Sequence, residues 1–197
     1  MNNPIEEGEI AERLRLIEQM IGEGRRTTGK WGWMWVLWGA AYLLASGWSV
    51  LDKSGMPWAV TMPVAAVLSS ILAKRNRQPG VASAISRAMT GIWSGVGIAM
   101  LLVLFSLSFS GHYQIHTFLA IIGGMLGVAN FASSVILRWP AQLFCALVWW
   151  LAAAGGCFLS AEQAGWVFLA AIFLAQIVFG IYVMATEGRQ RAEAVRG

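Results

Sequence analysis

Charge is scarce in this chain. Only 12% of its 197 residues are Asp, Glu, Lys or Arg, against 57% hydrophobic. Soluble domains carry about a quarter charged residues, and a chain with half that share cannot cover a globule with polar surface. The mean hydropathy of +0.61 points the same way. Cysteine is also rare, with Cys145 and Cys157 the only two. Both fall in one apolar run, about 18 Å apart if that run is a helix, whereas a disulfide needs Cα atoms within about 7 Å. They read as packing residues, and a disulfide scaffold is excluded. The N-terminal stretch lacks the basic start and apolar centre of a cleaved signal, so the first apolar run is expected to serve as its own insertion signal.

What the chain does have is long uncharged runs. Six can be read: Trp31–Leu51, Pro57–Ala73, Ala88–Ser110, Thr117–Leu137, Pro140–Leu159 and Ala164–Thr186, none with an interior Asp, Glu, Lys or Arg. About 20 apolar residues cross a hydrocarbon core as a helix. The expected fold is therefore all-α and polytopic, with six transmembrane helices arranged as three antiparallel hairpins. A helical N-terminal segment (1–30) precedes a membrane domain (31–186), and a short tail (187–197) follows.

The basic residues orient this plan. Arg13, Arg15, Arg25, Arg26, Lys30, Lys74, Arg75, Arg77, Arg87, Arg138, Arg189, Arg191 and Arg196 fall on one side of the alternating spans, and only Lys53 on the other. Basic loops stay inside, so both termini are expected in the cytoplasm of a bacterial cell, with the chain in the inner membrane. The basic pI of about 9.5 then reflects the membrane surface. No nucleic-acid motif is present, and no nucleic-acid partner is expected. Of the 11 tryptophans, Trp31, Trp33, Trp48, Trp58 and Trp166 fall near the run edges, where an amphipathic ring suits the membrane interface. Trp35, Trp38, Trp149 and Trp150 lie deeper. They either pack helices and face lipid or, on the sharper reading, line a ligand or cofactor pocket.

The N-terminal segment reads as a helix. Asn3 is a capping residue, Pro4 suits the first helical position and Glu6 stands at capping-box spacing. Gly22 and Gly24 are expected to loosen its exit into a basic hinge. Ile10, Leu14, Ile17 and Ile21 recur at spacings of 4, 3 and 4, a narrow apolar seam flanked by charge. In heptad terms they occupy d, a, d and a, with Arg13 at g and Glu18 at the following e. The seam can lie on the membrane surface, dock on the protein's own loops, or pair with another protein or a second copy of the chain.

Other patterns each admit a plainer reading. Gly24 to Lys30 matches the spacing of a phosphate-binding loop. It lacks the following Ser or Thr, a preceding strand and a soluble helix after it, and the plainer reading is a basic hinge that meets anionic lipid. His112 and His116 stand four apart in "GHYQIH". Metal sites generally need three or four ligands, so lining a loop competes with metal binding or pH sensing. Gly123, Gly127, Asn130 and Ser134 form one stripe in the fourth run. Gly91, Ser94, Gly95 and Gly97 cluster in the third. Small residues let helices approach closely in lipid, which predicts that the fourth span packs on the third. Asn130 and Gln176 are the amides nearest mid-depth. They can pair as glue or line a narrow polar path. No carboxylate, lysine or histidine lies within a run, where proton-coupled transporters and intramembrane enzymes place such groups. No cofactor is expected, and no catalysis.

The stretch "LRLIEQMIGEGRRTTGKWGWMWVLWGAAYLL" resembles the start of an uncharacterised family of small bacterial six-span membrane proteins. Its likeness lies in Leu16 to Ile21 ("LIEQMI"), the basic hinge, and Trp31-Gly32-Trp33 followed by Leu37-Trp38-Gly39. The resemblance covers the first quarter of the chain and implies no function. The expectation is a non-catalytic membrane protein acting through protein contacts, as accessory subunit, scaffold or sensor. The alternative is a transporter or channel for a small neutral or weakly polar solute.

Overall fold

The computed structural model describes residues 4–29, 31–52, 56–75, 84–110 and 114–196. Among them every regular element is helical: α1 (Pro4–Gly29), α2 (Gly32–Asp52), α3 (Met56–Arg75), α4 (Ala84–Ser110), α5 (Ile115–Leu137), α6 (Pro140–Gly156), α7 (Ala161–Ile172) and α8 (Phe179–Arg196). A π-helical segment, Phe173–Val178, joins α7 to α8 without a break. In an apolar chain this uniformity has a simple cause. A helix satisfies every interior backbone N–H and C=O within its own segment, so nothing polar is left facing a medium that cannot hydrogen-bond.

Among the described residues four helices are long and apolar enough to cross a membrane: Met56–Arg75, Ala84–Val103, His116–Leu137 and Ala161–Arg189. The last runs through α7, the π segment and the first part of α8. Helix α6 is apolar but has only 17 residues. Helix α2 has 21 residues, is apolar along its length and carries no charge before Asp52 at its end.

The core lies where α5, α6, α7 and α8 meet, around Leu119, Ile122, Cys145, Trp149, Phe168, Ile172 and Phe179. The most extensive helix pair is α5 with α6. Their connection is two residues long because α5 ends in a tight cap. Arg138 adopts a left-handed conformation (φ 48°, ψ 43°). Its N–H donates to Val135 O, and that of Trp139 to Ser134 O at 2.9 Å. This is the Schellman pattern that closes a helix C-terminus, and Pro140 then opens α6 at a position where a missing N–H costs nothing. Helix α2 packs on α3, on the π segment and on α8. Helix α4 is the least buried of the four long apolar helices and α5 the most.

Two boundaries differ from the sequence expectation. Residues 24–29, expected as a hinge, continue α1, although Gly and Thr are poor helix formers. The reason is tertiary. Gly24 is buried, and a Cβ there would stand 2.7 Å from Ile85 Cγ2 and 3.0 Å from Leu137 Cδ2. The packing overrides propensity. Residues 160–163, which separate the fifth and sixth apolar runs, lead into α7. Ser160 Oγ accepts from the Gln163 N–H at 3.3 Å, and Gln163 Oε1 accepts from the Ser160 N–H at 3.0 Å, a complete capping box. The capping role expected of Asn3 lies outside the described residues. Helix also continues past Thr186 to Arg196, so much of the expected tail is helical backbone.

Candidate functional site

Two features stand out from the general packing: a buried polar layer inside the bundle and an exposed apolar seam on α1.

The polar layer begins with the glycine stripe of α5. A Cβ at Gly123 would lie 2.9 Å from Ala153 Cβ and 3.0 Å from the Trp149 carbonyl oxygen, and one at Gly127 would run into the Trp150 indole. The stripe thus faces α6. Gly91, Gly95 and Gly97 of α4 have open space where a Cβ would stand, so the expectation that the fourth span packs on the third through two small-residue faces is corrected. Helix α4 meets α5 through other residues, among them Trp93, whose Nε1 donates to Ser133 Oγ at 3.2 Å. The close approach that small residues allow recurs where it was not foreseen. On α2 and α8, a Cβ at Gly180 would meet Gly32 O at 3.0 Å, and one at Gly39 would meet Gln176 Cβ at 3.0 Å.

Farther along the α5 stripe, Asn130 and Ser134 are buried, and Ser133 beside them is also fully enclosed. Asn130 Nδ2 donates to Leu126 O of its own helix at 2.8 Å, while its Oδ1 has no partner. Gln176 is buried within the π segment. Asn130 and Gln176 share no hydrogen bond, so the structure does not join them as a pair. The register that sets Trp149 against Phe168 and Trp139 against Phe179 places Gln142 at the depth of Gln176. Gln142 is fully buried, and neither of its amide atoms has a partner; the same holds for Trp149 Nε1. Gln142 stands two residues into a run that starts with proline, where an interfacial amide is ordinary, so nothing local marks it as buried. Its burial follows from the tight turn at Arg138, which draws the start of α6 against the end of α5. Aromatic rings cap the layer: Trp35 meets Trp93 and Phe179 edge-on, with centroids 4.7 Å and 5.3 Å apart. The layer offers neutral donors and acceptors and no titratable group.

The second feature is the seam of α1. Exposure rises along it away from the bundle: Gly24 is buried, Ile21 half-buried, Ile17 44% exposed, Leu14 57% and Ile10 58%. Leu16 and Met20 are also exposed. The helix is anchored at its C-terminal end, where it touches α4, α5 and α8, and its N-terminal half projects with apolar side chains uncovered. An exposed Glu9–Arg13 ion pair one turn apart spans its flank, the kind that contributes well under 1 kcal/mol.

The remaining candidates are placed as follows. His116 Nδ1 donates to Gly156 O at 2.9 Å, the nitrogen carrying the hydrogen because a carbonyl only accepts. It ties the start of α5 to the end of α6. His112 lies outside the described residues, as does Lys30. Among the described residues no group of three or more His, Cys, Asp and Glu gathers. Cys145 is buried in the core, whereas Cys157 is exposed and donates weakly to Ala153 O. The deep tryptophans divide. Trp149 is fully buried against Phe168, and Trp150 covers Gly127 and Phe131. No family model, curated protein or solved structure matches the chain.

Proposed function

We propose that this is a six-span inner-membrane protein with both termini in the cytoplasm, acting without catalysis as an accessory subunit, scaffold or sensor through contacts made by α1. Helices α2, α3, α4, α5 and α6 and the continuous α7–α8 rod are the spans. Helix α6 reaches the required depth with help from the flanking Trp139 and the turn after Gly156. Both tails and the basic loops face inward by the distribution of Lys and Arg. One observation carries the function: Ile10, Leu14 and Ile17 stay uncovered on a helix whose other end is pinned to the bundle through Gly24. A soluble segment that leaves such a stripe uncovered loses about 1.5 to 3 kcal/mol per buried side chain, which a docked partner recovers.

The test is Leu14→Asp with Ile17→Asp. The six spans insert as before because the orienting basic residues are untouched, and the membrane level stays near that of the parent. The contact made by α1 is lost. If the variant retains every partner and its oligomeric state, the helix rests on lipid and the contact reading fails.

A second reading has its own support. The buried amides Asn130, Gln142 and Gln176, with Gln176 in a π segment of the type frequent at functional sites, fit the passage of a small neutral or weakly polar solute. Vesicle uptake of urea and glycerol by the reconstituted protein separates the two. Uptake that Gln142→Leu abolishes would make transport the function and leave α1 a secondary feature.

A further inference from the structure

We propose that the partner of α1 is α1 itself: several copies of this chain associate through a parallel, in-register coiled coil of their N-terminal helices. The inference rests on the contact-based, cytoplasm-facing reading above. The seam has the geometry for it. Ile10 and Ile17 occupy d, Leu14 and Ile21 occupy a, and the first three are exposed along a single narrow stripe. Leu16 at c and Met20 at g are exposed beside this stripe, so the apolar face is wider than a and d alone, and charge rather than width bears on what covers it.

Charge chooses among occupants. Helix α1 holds six Glu and four Arg and no aromatic residue. Helices that lie in the membrane interface are rich in Lys and Arg, with Trp or Phe on the apolar face, and anionic headgroups repel a net negative helix. Lipid is therefore a poor cover. A second copy is a good one. In a parallel, in-register pair each g residue faces the e residue of the next heptad on the other strand. Arg13 is at g and Glu18 at the following e, so Arg13 of each copy meets Glu18 of the other. An antiparallel pair sets g against g and e against e, bringing Arg13 toward Arg13 and Glu18 toward Glu18. Membrane topology agrees, because copies inserted in one sense are related by an axis along the membrane normal, and helices projecting from the same face then run in the same direction.

The core residues also bear on copy number. Ile at d with Leu or Ile at a shifts preference from two strands to three or four. The coil is short because Gly24, the next d position, is already buried against Ile85 and Leu137. Two heptads do not hold together alone. Copies confined to one membrane meet at a high effective concentration, which makes a weak seam sufficient.

The experiment uses the full chain in lipid vesicles, with copies per assembly counted by native mass spectrometry as protein is diluted into lipid. The expected result is three or four copies for the parent. Arg13→Glu and Glu18→Arg each shift the dilution midpoint by roughly fivefold or more toward the dissociated form, and the double swap recovers most of the loss. Glu18→Arg is the cleaner single change because Arg13 also pairs with Glu9. In a chain with Cys145→Ala and Cys157→Ala, oxidation cross-links Leu14→Cys between copies but not Gln19→Cys, which points away from the seam. A monomeric parent, or equal assembly by the parent and all three charge variants, overturns the proposal. A monomeric parent whose Leu14→Asp, Ile17→Asp form sheds a different bound protein overturns self-pairing while leaving the contact-based function standing. A monomer with nothing to shed ends both.

Discussion

At Gly123 α5 and α6 approach closely, and what lies opposite is the Trp149 carbonyl and Ala153. Backbone cannot swing aside as a side chain can. Gly123→Ala is expected to lower thermal stability in detergent by about 1 to 3 kcal/mol, the usual cost of overpacking. Gly124, the adjacent residue, has open space where its Cβ would stand. Gly124→Ala should be neutral or stabilise by about 0.5 to 1 kcal/mol, because a helical glycine gives up more chain entropy on folding. Equal effects at the two positions would refute the packing described. Gln142 yields a prediction of the opposite sign. A fully buried amide with both atoms unpartnered carries a desolvation cost of about 1 to 3 kcal/mol. Gln142→Met keeps the volume and removes that cost, so the variant should melt at a higher temperature. A lower melting temperature would show that the amide has partners holding the layer together.

Element boundaries depend on a few end groups. The start of α7 is held by the reciprocal bonds of Ser160 and Gln163, and Ser160→Ala should cost about 1 kcal/mol by removing one of them. The cap is exposed, so the loss is of the bond itself with little packing change, and Ser160→Asp should largely restore it. Unfolding of the three proteins in the same detergent checks this, and an unchanged melting temperature for Ser160→Ala would show that the turn is held by packing alone. At the other tight connection Arg138 is in left-handed backbone, the single non-glycine residue with positive φ among those described. Such a conformation costs a residue with a Cβ about 1 kcal/mol or more. It is retained because a two-residue link lets α6 fold straight back on α5.

For the whole molecule, orientation is the main expectation. A reporter fused after Gly197 should be active only in its cytoplasmic form, and one fused after Gly111 only in its external form. Both fusions reporting the same side would remove the six-span arrangement, since three crossings must separate Gly111 from Gly197. The large outward area of α4 also implies that the protein depends on lipid or detergent to stay dispersed. Its core is gathered around Trp149 and Phe168.

Much of the helical content was legible without coordinates, because it is a local property. An uncharged run must close its own backbone hydrogen bonds, and 3.6-residue periodicity set the α1 seam and the α5 stripe before any contact was known. The capping box at Ser160 is equally local, with Ser and Gln at the required spacing. Which faces meet was not legible. The stripes of α4 and α5 look alike in sequence, yet Gly123 and Gly127 are covered by Trp149, Ala153 and Trp150 while Gly91 and Gly95 face outward. Gln142 becomes a core residue only because Arg138 turns the chain sharply enough to press α6 against α5. Composition and period determined the helices and the surface that seeks an apolar medium. Pairing was decided by the tertiary structure, since close packing requires a small residue on one helix and a matching ridge on another at the same depth, and that coincidence belongs to two distant segments together.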